Sequence, residues 1–195
     1  IAIVGRANVG KSTLFNKLTQ SRSAIVNDTP GVTRDRIYGP ADMGNRSAMV
    51  VDTGGVDVDQ NNPIELQVVE QGRWARDEAD CVIIVVDNRE GLTPFDREMV
   101  DEIRKSGKPY VLAVNKIDSP SDHHILPEFN KLGVKHLLPV SAEHGHGLYE
   151  LIETVSGLLP DYVEPEIDSN TIRVAVIGKP NVGKSSLINK LLNSE

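Results

Sequence analysis

Basic residues are in short supply. The 195-residue sequence carries 21 Lys and Arg against 28 Asp and Glu, a net charge of −7. That deficit argues against holding nucleic acid or an anionic membrane by bulk electrostatics. No direct nucleic-acid binding and no membrane contact are therefore expected of this chain, and any basic partner-binding module lies outside it. Long apolar runs are also missing. The longest, such as Cys81 to Val86, are far too short to span a bilayer, and no charged-then-apolar leader opens the sequence. Cys81 is the only cysteine, which excludes an internal disulfide and suits a reducing cytosol. A cytoplasmic location is expected.

What the chain does have is glycine and lysine in one arrangement, twice. After the apolar run IAIV, the string GRANVGKST matches G-x-x-x-x-G-K-[ST] at Gly5, Gly10, Lys11 and Ser12. In this loop backbone N–H groups cradle phosphates at a helix N-terminus. The lysine neutralises the β- and γ-phosphates and the hydroxyl holds Mg²⁺. Gly5, Arg6, Ala7, Asn8, Val9, Gly10, Lys11, Ser12 and Thr13 are thus expected to form a phosphate-binding loop, with Gly10 leaving room for phosphate oxygens. A chance match is expected in on the order of one per cent of chains this long. From Val174, VAVIGKPNVGKSSLINKL repeats the pattern in register. Gly178, Lys179, Pro180, Asn181, Val182, Gly183, Lys184 and Ser185 form the second loop. An internal repeat at this spacing means one nucleotide-binding domain followed by the opening of another.

Strands alternate with helical patterns, the signature of an α/β fold with a mostly parallel sheet and helices on both faces. The spacing of Leu14, Phe15 and Leu18 predicts a helix from Lys11 to about Thr19. Residues 20–37 read as a long, functional loop. An antiparallel pair is expected at 37–43 and 47–52. Helices at 63–78, 94–106, 124–132 and 148–158 then alternate with the strands CVIIVVD, YVLAVN and HLLPVS. The first domain covers 1–159. Residues 160–171, rich in acids and proline, read as a linker, and 172–195 begin the second domain. The sequence ends at Glu195, so it is expected to be a piece of a longer protein.

In open sheets, ligands bind at the carboxyl ends of strands, and the polar clusters fall there. Asp52, Thr53, Gly54 and Gly55 give D-x-x-G, where an acid holds Mg²⁺ through water and a glycine N–H reports the γ-phosphate. A threonine of the long loop, Thr29 or Thr33, is placed to complete the Mg²⁺ shell and make that loop a switch. Arg34 and Arg36 read as solvated loop cations. Asn115, Lys116, Ile117 and Asp118 give N-K-x-D. The carboxylate there accepts from N1–H and the exocyclic amine of guanine, a donor pair adenine lacks. Such pairing discriminates on the order of 10⁴-fold or more. Lys116 is expected along the base plane, with Ser141 and Ala142 covering the base and a backbone N–H directed to its carbonyl. His144 and His146 read as turn residues, Trp74 as packing, and Asn45-Arg46-Ser47 as no glycosylation site.

GRANVGKST, GVTRD, DTGG, NKID and SAEHGHG follow the order and spacing of a translation-factor-class P-loop GTPase. With the tandem loop GKPNVGKSS after an acidic linker, the chain resembles the bacterial double GTPases of the EngA (Der) family over essentially its whole length. The resemblance implies a small G domain, GTP/GDP and Mg²⁺ as cofactors, and GTP hydrolysis coupled to assembly of the large ribosomal subunit. The partners it implies are a guanine nucleotide and that subunit or its precursor, engaged by the full-length protein. It also selects Thr33 as the switch hydroxyl, and gives Mg²⁺ to Ser12, Thr33 and Asp52. Asn8 matches the asparagine that relatives use to hold K⁺, a substitute for an arginine finger. Lys11, Asn8, Thr33 and Gly55 thereby become the expected catalytic set. Val56 stands where Ras-like proteins carry a water-positioning glutamine, and has no polar atom to orient water. That leaves a second possibility, a nucleotide-sensing module with negligible hydrolysis. Ala7 stands where the family usually has proline, as the second copy does at Pro180.

Overall fold

The computed structural model describes residues 1–19, 25–26, 37–53, 78–119, 126–161, 176 and 183–192. They divide into a unit of Ile1–Pro160 and a unit of Asp161–Glu195. The first is built on a seven-stranded sheet. Its strands are β1 (Ala2–Val4), β2 (Ile25–Val26), β3 (Ile37–Asp42), β4 (Ser47–Asp52), β5 (Val82–Asp87), β6 (Tyr110–Asn115) and β7 (Leu137–Pro139). The spatial order is β2-β3-β4-β1-β5-β6-β7. β1 pairs in parallel with β4 and β5, and the parallel run continues through β6 to β7. Among the described strands β3 alone runs against the rest, pairing antiparallel with β2 and with β4.

Period-two alternation divides the buried strand side chains between two faces. Ile83 and Val85 join Ile3, Val111 and Ala113 in one apolar cluster. Val82, Ile84 and Val86 join Val4, Leu112 and Val114 in the other. Helix α1 (Lys11–Thr19) covers the first face with Leu14, Phe15 and Leu18. Leu151 and Val155 of the helix at Leu148–Leu158 cover it beside them. On the second face lie α2 (Pro94–Ser106), through Phe95, Met99, Val100 and Ile103, and α3 (Leu126–Asn130), through Phe129. The helix at Leu148–Leu158 is α4. The expected mostly parallel sheet with helices on both faces is what forms.

α2 shows why its boundaries are legible. Thr93 accepts from the Asp96 N–H while the Asp96 carboxylate accepts from the Thr93 N–H, and Pro94 opens the helix. This reciprocal cap satisfies donors that the first turn leaves over.

Two expectations need correction. The stretch 20–37 is not wholly loop, since Ile25 and Val26 pair with Tyr38 and Ile37. A strand of two residues is defined by its partner and has no period of its own. The helix expected over 124–132 ends at Asn130; it is described from Leu126, and residues 124 and 125 lie outside the described residues. It closes because the N–H groups of Lys131, Leu132 and Gly133 reach back three residues to Glu128, Phe129 and Asn130, tightening the last turn. The expected helix at 63–78 lies outside the described residues except at Glu78.

In the second unit, α5 (Lys184–Leu192) starts on the repeated lysine. Leu187 N–H donates to Gly183 O at 2.9 Å, as Leu14 N–H does to Gly10 O at 2.9 Å. The two glycines share a left-handed backbone, with φ of 97° and 88°.

Candidate functional site

β1 ends at Val4 and is followed by Gly5, whose φ of 144° is disfavoured for other residues. A Cβ there would collide with the Val85 carbonyl oxygen of the adjacent strand. At Gly10 a Cβ would collide with the Asn115 side-chain amide. Gly10 was expected to make room for phosphate; the contact that forbids a side chain is with Asn115. Ala7 and Asn8 are exposed at the loop tip, with Asn8 left-handed at φ 63°. Val9 is fully buried in the core. Ser12 and Thr13 are exposed on the first turn of α1. Arg6 pairs with Glu90, and its Nε lies 3.6 Å from Asp96 Oδ1.

Lys11 is only 6% exposed. Its ammonium donates to the carbonyls of Gly5 at 2.8 Å and Arg6 at 2.6 Å. Burial pushes its pKa down to about 8, against the pull of the Asp52 charge and with a further push from Arg6. Asp52, at the end of β4, is 1% exposed. Thr53 directs its hydroxyl to Ile3 O at 2.7 Å, tying this strand end to β1. A desolvated ammonium, a buried carboxylate acting on it and the Ser12 hydroxyl form a donor set that fits a polyphosphate with a hard divalent cation. Thr29, Thr33, Arg34, Arg36, Gly54, Gly55, Val56 and Trp74 lie outside the described residues.

The N-K-x-D loop leaves the end of β6. Asn115 is buried and bridges two loops: its amide donates to Val9 O at 2.8 Å, and its carbonyl accepts from Ala142 N–H at 2.9 Å. Of the two backbone N–H groups of which one was expected at the base carbonyl, that of Ala142 is engaged by Asn115 and that of Ser141 donates to His146 O at 3.0 Å. Lys116, left-handed at φ 66°, donates to Asn8 O at 2.9 Å and pairs with Asp87 Oδ2 at 2.6 Å. Ile117 is buried in the second apolar cluster and its N–H donates to Val140 O. Asp118 accepts from Ser141 Oγ on Oδ1 and from Arg89 Nη2 on Oδ2, both at 2.6 Å. The Ser141 hydrogen bond first, and Arg89 after it, hold the Asp118 carboxyl below its ordinary range.

The structure therefore brings the phosphate loop and the N-K-x-D loop together through side chains of the latter on carbonyls of the former. Asp87 and Arg89 were not anticipated. Both stand at or just after the carboxyl end of β5, where strand position alone could have marked them. His144 and His146 have ring centroids 6.0 Å apart, and among the described residues no group of three metal-ligating side chains forms. In the second copy, Gly178 to Val182 lie outside the described residues, whereas Gly183, Lys184 and Ser185 open α5 as Gly10, Lys11 and Ser12 open α1.

Sequence comparison agrees with this arrangement. The chain is 50% identical to GTPase Der of Symbiobacterium thermophilum over 197 residues, covering 100% of this chain and 42% of that protein. It is 48% identical to GTPase Der of Caldicellulosiruptor saccharolyticus, covering 100% of this chain and 44% of that one. The chain thus spans less than half the length of these relatives. Among solved structures, Aquifex aeolicus Era bound to GDP and AlF4⁻ superposes with a TM-score of 0.65 at 30% identity, over 90% of this chain and 61% of that one. The G domain of the T. maritima FeoB iron transporter does so with 0.62 at 27% identity, over 80% and 96%. The profile of the 50S ribosome-binding GTPases matches residues 1–116 and 173–195. With the phosphate loop, the buried lysine and the N-K-x-D loop joined at the carboxyl ends of the parallel strands, the chain belongs to the 50S ribosome-binding GTPase family.

Proposed function

We propose that residues 1–159 form a GTP-hydrolysing switch domain, followed by a linker at 160–171 and the start of a second G domain at 172–195. In this reading the protein acts in the cytoplasm, in assembly of the large ribosomal subunit; the 50S ribosome-binding description of its family supports the ribosomal part. The observation that carries the reading is the pair of cross-loop contacts, Asn115 to Val9 and Lys116 to Asn8. They make the phosphate-binding and base-binding elements one rigid receptor for a nucleotide.

Each residue has a role on that view. The loop from Gly5 to Thr13 holds the phosphates, and Lys11 exchanges its two carbonyl partners for phosphate oxygens. Asp118 accepts from guanine, oriented by Ser141, while Lys116 and Ala142 fix the walls of the base site. Ser12, Asp52 and Thr33 are the residues that would hold Mg²⁺, which supplies charge neutralisation on the phosphates. Thr33 and Gly55 sense the γ-phosphate. Asn8 is assigned to K⁺ by its match to the asparagine of the family's phosphate loop, and its exposed side chain at the loop tip leaves it open to a cation.

The test is multiple-turnover GTP hydrolysis in matched K⁺ and Na⁺ buffers, with Asn8→Ala as control. A rate that rises in K⁺ and falls back in the variant is expected. Equal rates in the two salts would remove the K⁺ assignment. Negligible turnover with intact GTP binding would instead make this domain a nucleotide sensor.

A further inference from the structure

Arg89 occupies the acceptor that the proposed function reserves for guanine. Its backbone N–H donates to Asp87 Oδ1 at 2.8 Å, which fixes the turn after β5. From there the guanidinium reaches across to Asp118 Oδ2 at 2.6 Å. Asp87 and Asn115 are register partners at the ends of β5 and β6, so the two strand ends hold Arg89 beside the N-K-x-D loop.

The chemistry of the contact is the chemistry of the base. A guanidinium offers adjacent N–H donors in one plane, and so does the N1–H and exocyclic amine edge of guanine. Both are matched to a carboxylate. Asp118 does not need Arg89 for its orientation, because Ser141 already holds Oδ1. Arg89 is also the free-moving partner: its side chain is 65% exposed, against 21% for Asp118. Its backbone anchor persists whether or not the guanidinium stays on the carboxylate.

We propose that Arg89 is a built-in competitor for the base site, whose guanidinium must leave Asp118 before guanine docks. Arg89 therefore sets nucleotide affinity without contacting the nucleotide phosphates. The inference rests on the assignment of Asp118 to guanine. An exposed ion pair of this kind is weak, so the competition is graded and not a lock. It is also electrostatic, so salt relieves it.

The experiment measures binding of fluorescent GDP and XDP to the full chain, wild type and Arg89→Gln, Arg89→Lys, Asp118→Asn and the Asp118→Asn/Arg89→Gln pair. Thermal unfolding checks that each variant is folded. Arg89→Gln is expected to bind GDP about two- to fivefold tighter than wild type, the range an exposed pair covers, mainly through faster association. Arg89→Lys falls between. The gain should shrink as ionic strength rises. In the Asp118→Asn background, removing Arg89 should give no gain for XDP. If Asp118→Asn does not exchange GDP preference for XDP, the guanine assignment itself fails and takes this inference with it. If that exchange occurs but Arg89→Gln leaves GDP affinity unchanged, only the competition fails. If Arg89→Gln weakens GDP binding, Arg89 is a nucleotide contact and the competition is overturned.

Discussion

The side chain of Asn115 donates to the main-chain carbonyl of Val9 at 2.8 Å, across 106 residues of sequence. The same side chain accepts from Ala142 N–H, so one buried amide fastens the phosphate loop to the loop after β7. Its geometry also explains Gly10, whose Cβ would stand where this amide lies. Asn115→Ala leaves a buried carbonyl and a buried N–H without their partner. Buried groups orphaned in this way cost about 1–3 kcal/mol each, so unfolding in urea should show a loss of at least about 2 kcal/mol. Asn115→Asp should not rescue it, because a carboxylate cannot donate to Val9 O.

The two glycines of the phosphate loop should differ in their tolerance of alanine. At Gly5 the obstacle is the Val85 carbonyl, part of a central strand; at Gly10 it is a side-chain amide. Backbone in a paired strand cannot give way, whereas an amide can rotate at the expense of its hydrogen bonds. Both substitutions also force alanine into positive φ, roughly 1–3 kcal/mol each. Gly5→Ala is expected to be the more destabilising and Gly10→Ala the milder, and differential scanning calorimetry of the pair checks the order. The reverse order would mean that the Asn115 amide is held more rigidly than the strand.

Much of this was readable from residues alone, for physical reasons. The strand CVIIVVD and its neighbours are unbroken apolar runs because both faces are covered, and α2 carries its own cap in Thr93 and Asp96. Sequence assigned Asp118 to the edge of the base and Ser141 to its cover, and the structure joins these two side chains at 2.6 Å. What sequence could not supply was the partnership of groups distant in the chain. Nothing local in GRANVGKST says that Gly10 faces Asn115, or that the Asn8 carbonyl takes the Lys116 ammonium. Asp87 was hidden for a different reason. It ends an apolar strand as an ordinary acidic stop, and its value appears only when β6 brings Lys116 beside it.

That pairing gives a third prediction. Asp87 is 1% exposed and divides its carboxylate between the Arg89 N–H on Oδ1 and the Lys116 ammonium on Oδ2. Asp87→Asn keeps an acceptor for the turn but removes the charge that steadies Lys116 across the Asn8 carbonyl. GDP affinity should fall several-fold with a stability loss of about 1 kcal/mol. Asp87→Ala should lose more of both, since the turn after β5 is then unsupported. Calorimetric titration with GDP, paired with urea unfolding, separates the two effects. Equal losses for the two variants would show that the acceptor for the turn is immaterial, whereas unchanged GDP affinity in Asp87→Asn would show that the carboxylate charge beside Lys116 is immaterial.

Lys11 makes binding depend on pH. Its folded-state pKa of about 8 lies below the ordinary 10.5 because burial penalises the ammonium. Between those two values the unfolded chain binds the extra proton, so the contribution of this group to stability rises with pH across that window. Nucleotide binding runs the opposite way. Phosphate oxygens favour the ammonium and raise its pKa, so above pH of about 8 complex formation takes up a proton and affinity falls as pH rises. The fall approaches about tenfold per pH unit at its steepest. Titrations of GDP in two buffers of different ionisation enthalpy, at a pH of about 8.5, should reveal the proton taken up. Lys11→Met should abolish the stability slope of the ligand-free protein over the same window, and a slope that survives in the variant would assign the titration to another group.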